Sequence, residues 1–431
     1  MSELATLNKS ISFLAAFAVV GALLAMAFLL VENQGKLQEG ALRVRKRATA
    51  FAGAWLVASV LHIFLTLANI LGTSFSDALE RNTLRSFLTQ VDLGQYLGVQ
   101  AVMIAVIALA IRFVRTVLAA TILLLFSLIT LTVPVFQSHS ASSGSHQLAI
   151  GSLVVHVVAL SLWVGGAFAI VALPESDRKF ALPRFSQMAL WTAIAVVISG
   201  ITNAWARLNF VDAWSSGYAR IVLLKVALTL VLLFLGYRNR RGLAQGSSTG
   251  IKLLGRFVVV EAFIMTTLLF LGSWLAQTEP PVRGDLSISP ALSIVGVATP
   301  AEPTLARLLL LYQPDALIMG ILIVLVALYI KGVVVLTKRG DKWPVGRTIA
   351  FALGISAIDF ATSGGLGVYS RFAFSNHMLS HMVLGIIAPI GIVLGAPITL
   401  ALRTLPIGRN DQERGIRGTF IALLHSKLSK L

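Results

Sequence analysis

The sequence predicts an all-α integral membrane protein, a polytopic helical bundle with about 11 transmembrane helices. Of its 431 residues, 57% are hydrophobic and only 12% are charged, which is not the composition of a soluble protein. None of the apolar stretches shows the period-two alternation of a membrane β-barrel strand. The chain has no cysteine, which excludes disulfides, thiolate metal sites and thioredoxin-like redox chemistry. Any soft metal would therefore have to be bound by histidine and methionine.

The predicted spans are apolar stretches of roughly 20 residues or more, the length needed to cross a hydrocarbon core of about 30 Å. The first follows Lys9 and could be mistaken for a signal peptide. Its run of about 21 apolar residues exceeds a signal-peptide core, so we expect a membrane span there. The spans cover residues 11–31, 48–71, 93–113, 115–136, 148–172, 186–206, 219–237, 253–275, 314–336, 347–367 and 376–401.

The distribution of basic residues predicts the orientation of the chain. Of the 35 Lys and Arg residues, 24 lie in the C-terminal tail and in the loops that follow odd-numbered spans, whereas 7 lie on the other side. By the positive-inside rule, the N-terminus faces out and the C-terminus is cytoplasmic. The net charge of +17 is thus explained by topology, and we expect no nucleic-acid partner.

A Pro-rich segment divides the chain into two parts. Residues 276–312 contain five prolines and are predicted to lie outside, as a linker between an eight-span unit and a three-span unit. We expect the second unit to be cut short, because it stops at Leu431 after a basic tail with a short amphipathic stretch around 418–431. No soluble domain and no phosphate-binding loop is predicted.

Four histidines of the first unit suggest a route for a cation. His62 and His156 lie roughly 12–13 Å below the outer ends of their spans, where they could face one another across the bundle. His139 and His146, in the loop QSHSASSGSH, lie above them at the outer mouth. Ionisable groups within a membrane are costly, and each is therefore a functional candidate.

The second unit contains the string NHMLSHM at the start of its last span. His377 and His381 are four residues apart and lie on one helical face, close enough to chelate one metal. Met378 and Met382 repeat that spacing. Imidazole and thioether together suit Cu(I), whereas imidazole alone suits Cu(II), Zn or haem iron. Asp359, on the neighbouring span, is placed to accept an imidazole N–H.

Other interpretations compete with metal binding. A single histidine in a membrane helix is more often an interhelical hydrogen-bond donor than a ligand, and methionine more often fills a core. Four further charges, Arg220, Lys225, Arg256 and Glu261, lie within the seventh and eighth spans. A structural ion network is the favoured interpretation of these four, and a proton relay is the alternative.

Several strings together resemble two known families. HVVALSLWVGGAFAIV (156–171), GYARIVLLKVAL (217–228) and RFVVVEAF (256–263) resemble CopD, the copper resistance protein D family, over roughly 135–281. HMLSHMVLGIIAPI (377–390) and GAPITLALRTLP (395–406) resemble the N-terminal part of CtaG, an assembly factor of haem–copper oxidases. The predicted domains are N-terminal helices of the CopD-like unit (1–134), its core (135–281), an extracytoplasmic linker (282–312) and a truncated CtaG-like unit (313–431).

The resemblance implies copper transport or handling across the cytoplasmic membrane of a bacterium by a multi-pass protein that is not an enzyme. His156 falls on the histidine before the WxGG motif of CopD, and His377 and His381 fall on the paired histidines of CtaG. Ser380 stands where glutamine is common. The implied partners are a copper ion, the lipid bilayer, and cytochrome c oxidase subunits or an extracytoplasmic copper-binding protein. A haem-binding membrane oxidoreductase and a structural oxidase partner without metal are the alternatives.

Overall fold

A computed structural model gives the fold and confirms the all-α membrane class. It describes residues 2–72, 80–137, 146–207, 216–244, 248–276, 299–408 and 413–426, and in addition the single residues 278, 291 and 295. Two compact units are distinguished. The first comprises residues 1–139 and 156–283, and the second comprises residues 140–155 and 284–431.

The first unit is built from nine helices and a two-stranded antiparallel ribbon in its described part. A π-helical turn, Ala25–Leu29, extends the first helix, and short 3₁₀ segments end the fourth and fifth helices. The part of α6 from His156 onward belongs to this unit. The elements are α1 (Ser2–Leu24), β1 (Glu32–Asn33), β2 (Lys36–Leu37), α2 (Glu39–Leu71), α3 (Arg81–Gln90), α4 (Asp92–Ala110), α5 (Val117–Thr132), α6 (His146–Ala172), α7 (Glu175–Arg207), α8 (Gly217–Ala244) and α9 (Ser248–Leu275).

The second unit contains the beginning of α6 and a run of shorter helices. A π-helical turn, Val383–Ile387, lies between two of them. The remaining helices are α10 (Leu305–Leu310), α11 (Ala316–Lys338), α12 (Val345–Thr362), α13 (Gly365–Tyr369), α14 (Phe374–Met382), α15 (Ala388–Leu394), α16 (Pro397–Thr404) and α17 (Gly415–Leu424).

The predicted spans correspond closely to helices of the structure. Within the described part of the chain, 10 helical stretches are long and apolar enough to cross a membrane, and a shorter apolar stretch, Val259–Leu275, lies in α9. One predicted boundary was wrong. The span predicted at 347–367 ends at Thr362, because the backbone N–H groups of Ser363 and Gly364 both turn back to the carbonyl of Asp359. The last span is bent at Ala396, whose φ of 48° ends one helix immediately before a proline.

Helix α1 forms the centre of the first unit. It packs against α2, α5 and α9, and the side chains of Phe17, Leu23 and Met26 are almost completely buried. Gly21 of α1 meets Gly165 of α6 backbone to backbone, and a Cβ atom at either position would collide with the opposite main chain. Small residues permit such close helix contacts in membrane bundles, where apolar burial itself contributes little.

Arginine side chains collect at one end of the first unit and bind the C-terminal carbonyl groups of its helices. Arg184 donates to the carbonyls of residues 28–30, Arg45 to that of Val114, and Arg47 to that of Ala172. Helix C-termini carry partial negative charge and unsatisfied carbonyls, so a guanidinium stabilises them. These bonds bring three basic loops to the same end, as the predicted orientation requires.

Replacing Arg184 with glutamine is expected to lower the free energy of unfolding of the detergent-solubilised protein by about 1–3 kcal/mol, because three carbonyls lose a charged donor. The expected readout is a lower midpoint of thermal unfolding. The matched control is Arg112→Gln, which removes an exposed arginine from the same basic end. An equal loss in both variants would contradict a specific capping role for Arg184.

Candidate copper site

Two histidines meet on α14. The Nε2 atoms of His377 and His381 are 3.0 Å apart, and their ring centroids are 4.5 Å apart with an angle of 63° between the rings. At this distance one ring N–H donates to the lone pair of the other ring, so the two rings share one proton between these atoms. Both side chains are exposed on the surface of the second unit.

The separation of these two nitrogens suits a single metal ion. With metal–nitrogen bonds of about 2.0–2.1 Å, two nitrogens that far apart subtend an angle of roughly 95° at the ion. That angle fits neighbouring positions of a tetragonal Cu(II) site and is close to those of a tetrahedral ion. Binding would displace the shared proton, since a metal needs the lone pair of each nitrogen.

Methionine side chains flank the histidine pair. Met378 is 42% exposed and Met382 is 47% exposed, so neither acts as filler of a protein core. Each follows a histidine by one residue, which places it about 100° further round the helix. The exposed side of α14 therefore carries an imidazole stripe beside a thioether stripe, a combination of ligand types that suits Cu(I).

The opposite side of α14 is fixed to α12. Ser380 is buried, and its hydroxyl donates to the carbonyl of Ala361 at 3.0 Å. This bond sets the rotation of α14 about its axis, which turns the histidines away from α12. The serine that departs from the family pattern thus has a structural role here.

The helix continues beyond the histidines through a widened turn. The π-helical segment Val383–Ile387 directly follows Met382, and Pro389 comes two residues later. A proline ring clashes with the carbonyl four residues earlier in a regular helix, and a π turn relieves that clash. Close contact between Gly354 of α12 and Gly391 of α15 then holds this segment against its neighbour.

Asp359 has a different partner from the predicted imidazole. Its Oδ1 accepts a hydrogen bond from the Tyr312 hydroxyl at 3.0 Å, and that hydroxyl also lies 3.9 Å from the sulfur of Met319. The pKa of Tyr312 lies above its ordinary value, first because partial burial disfavours the phenolate and then because of the bond to Asp359. A hydrogen bond from a metal-bound imidazole N–H to the Asp359 carboxylate stays a prediction.

His156 is held by α7. Its Nδ1 lies 3.1 Å from the carbonyl of Val196 and 3.1 Å from the hydroxyl of Ser199. The ring also packs against Gly200, where any side chain would touch it. Because the carbonyl can only accept, Nδ1 carries the proton in the neutral ring and Nε2 keeps its lone pair.

His62 lies near the N-terminal part of α1. Its Nδ1 is buried and has no hydrogen-bond partner among the described residues, while Lys9 lies within electrostatic range. The adjacent Asn8 side chain donates to the carbonyl of Ala58 at 2.9 Å, which ties α1 to α2. A buried polar atom without a partner is uncommon and marks His62 as a candidate for ligand binding.

The remaining predicted site residues are only partly described. His139 lies outside the described residues, and the side chains of His146 and Arg256 are likewise outside them. Lys225 lies within electrostatic range of His156 and beside Gly272 of α9. Arg220 is exposed near the beginning of α8, and Glu261 is half-buried on α9. The ion network and the proton relay both stay predictions.

No group of three or more His, Cys, Asp or Glu side chains suited to holding a metal occurs among the described residues. The His377–His381 pair is thus a two-ligand arrangement. Sequence reasoning missed the anchoring roles of Ser199, Ser380 and Tyr312. Ser380 directly precedes His381, which was a possible signal, but the sequence does not indicate that its hydroxyl would find the carbonyl of Ala361. Ser199 is 43 residues from His156, so the local sequence gave no signal for that contact.

Comparison with known families matches three successive stretches of the chain. Residues 1–148 match the copper resistance protein D-like N-terminal domain, residues 180–275 match copper resistance protein D, and residues 327–431 match the cytochrome c oxidase caa3 assembly factor CtaG. The order of these matches confirms the resemblance to a CopD–CtaG fusion. The match to residues 1–148 also extends it to the first helices, for which the sequence motifs gave little indication.

Two related proteins align with almost the whole of this chain but are longer than it is. Uncharacterized proteins of Mycobacterium bovis and Mycobacterium tuberculosis are each 28% identical over 411 residues, which is 92% of this chain and 59% of theirs. The copper transport protein CutJ of Bacillus subtilis is 25% identical over 259 residues, 54% of this chain and 48% of its own length. This chain therefore spans about three fifths of the length of its mycobacterial relatives. No solved structure matches it.

Proposed function

We propose that this protein handles copper at the cytoplasmic membrane of a bacterium, and that its CtaG-like unit holds copper for delivery during oxidase assembly. The observation that carries the proposal is the pair of exposed imidazole nitrogens on α14, 3.0 Å apart, within the stretch that matches an oxidase assembly factor. Copper is the cargo in this proposal. The family matches and the relative named as a copper transport protein support that choice of metal.

A two-histidine arrangement suits a site that must release its metal. A structural ion is enclosed by four ligands, whereas a working site keeps open positions. Here two imidazoles hold the ion, and the remaining positions are filled by the thioethers of Met378 and Met382 or by an acceptor. The exposure of all four side chains allows an acceptor, such as an oxidase subunit, to approach the ion.

The CopD-like unit contributes His156 and His62 in this proposal. The arrangement of His156, with one ring nitrogen bonded to a backbone carbonyl, is the usual one for a metal-binding histidine because it fixes the tautomer. A lysine lies within electrostatic range of each of the two histidines.

The proposal is tested by the metal content and the visible spectrum of the purified, detergent-solubilised chain after incubation with copper. We expect bound copper at one equivalent or more and no Soret band. A Soret band without copper would favour the haem-bearing oxidoreductase. If the protein contains neither copper nor haem, a role as a structural partner of the oxidase is favoured. Either the haem result or this result would overturn the proposal.

A further inference from the structure

We propose that the first unit binds an anionic phospholipid in an apolar groove between α1, α2 and α6 at its basic end. The groove has a volume of about 370 Å³, within the range of small-ligand sites. It is lined almost entirely by apolar side chains, and Arg47 is the one charged residue among them. This binding site is separate from the histidines to which copper handling is assigned.

The shape and lining of the groove match an acyl chain. Small residues of α1, Ala15, Ala18 and Ala22, form its floor, and Phe51 and Phe168 contribute aromatic walls from the two neighbouring helices. Phe51 is 43% exposed, so the groove is open to the outside of the unit. In a bilayer such an opening faces hydrocarbon, and a lipid tail is the apolar occupant that is always present there.

The charge at one end of the groove identifies the head group. Arg47 donates one N–H to the carbonyl of Ala172 at 2.8 Å, and a guanidinium has five donors, so others remain for a phosphate. The exposed Lys46 precedes it in the chain, and Arg43 lies one turn earlier on α2, 3.9 Å from Asp177. Basic pockets between transmembrane helices typically bind anionic lipid head groups. Charge complementarity therefore favours phosphatidylglycerol or cardiolipin over a zwitterionic lipid.

Native mass spectrometry of the full chain tests this proposal, with phosphatidylglycerol and phosphatidylcholine of identical acyl chains added in turn. We expect phosphatidylglycerol to be retained more strongly than phosphatidylcholine. Arg47→Gln is expected to weaken its retention about fivefold, the effect of one basic residue near an anionic lipid. Ala18→Phe, which fills the groove without changing the charge, should weaken retention of the same lipid.

Arg112→Gln is the matched control, because it removes an exposed arginine from the same end of the unit but away from the groove. It should leave retention unchanged. Equal retention of the two lipids, or equal retention by Ala18→Phe and Arg112→Gln, would overturn the proposal. Displacement of the lipid by inorganic phosphate alone would also overturn it, since that result would assign a phosphate site with no role for the groove.

Discussion

Replacing His377 and His381 together with alanine is expected to remove the copper bound by the CtaG-like unit. The two Nε2 atoms are 3.0 Å apart and supply two neighbouring ligands to one ion. Loss of a hydrogen-bond partner of a metal ligand typically costs 10–100-fold in affinity, so loss of two ligands should weaken binding by more than about 100-fold. Metal analysis of the purified variant after dialysis should find one copper equivalent fewer per chain than in the wild type.

The matched control for this double variant is His425→Ala. His425 is also exposed, and its ring bonds locally, to the carbonyl of Ile421 in the helix α17 that it directly follows. It should leave the copper content unchanged. All three histidines are exposed. The thermal unfolding midpoint should therefore barely move in either variant. Copper content equal to that of the wild type in the double variant would contradict a site on α14.

Replacing Gly21 with alanine is expected to produce the largest loss of stability. A Cβ atom there would lie within the carbonyl group of Gly165, so α1 and α6 would have to separate. Because α1 is the central helix of the first unit, that displacement would disturb its packing against α2, α5 and α9 as well. Overpacking of this kind costs about 1–3 kcal/mol and occasionally more. The measurement is the thermal unfolding midpoint in detergent, together with the yield of monodisperse protein.

Gly53→Ala is the control for the glycine contact. Gly53 lies on α2, and nothing would come within 4 Å of a Cβ atom there. Alanine is the better helix former by about 1 kcal/mol, so the unfolding midpoint should stay the same or rise. A loss of stability in Gly53→Ala as large as that in Gly21→Ala would show that glycine itself, and not the contact with Gly165, is responsible.

The positions of the spans could be predicted from the sequence because hydrophobicity and length alone decide which segments can cross a bilayer. The end of one span and a bend within another could not. The helix beginning at Val345 ends at Thr362 through a turn onto the carbonyl of Asp359, and the left-handed backbone at Ala396 divides the last span. Both features depend on local backbone geometry, and the hydrophobicity of a continuous apolar stretch does not indicate where the backbone turns.

The candidate site could be predicted in part. The four-residue spacing of His377 and His381 predicts rings on one helical face, and the structure places their Nε2 atoms 3.0 Å apart. The bond between Tyr312 and Asp359 joins residues that are 47 positions apart, and it depends on how α10–α12 pack. Local spacing carries no information about such a contact, so the sequence could not indicate Tyr312 as a partner of Asp359.

Copper K-edge X-ray absorption of the copper-loaded protein tests the central claim most directly, because it identifies the atoms bound to the ion. The wild type should show the multiple scattering of two imidazole ligands at bond lengths of about 2.0 Å. The variant lacking His377 and His381 should lose the part of that signal that comes from the α14 site, leaving at most the copper held by His62 and His156, while the His425→Ala variant keeps the full signal. An unchanged imidazole signal in the double variant, or a copper ion bound only by oxygen in the wild type, would contradict the assignment of copper to α14.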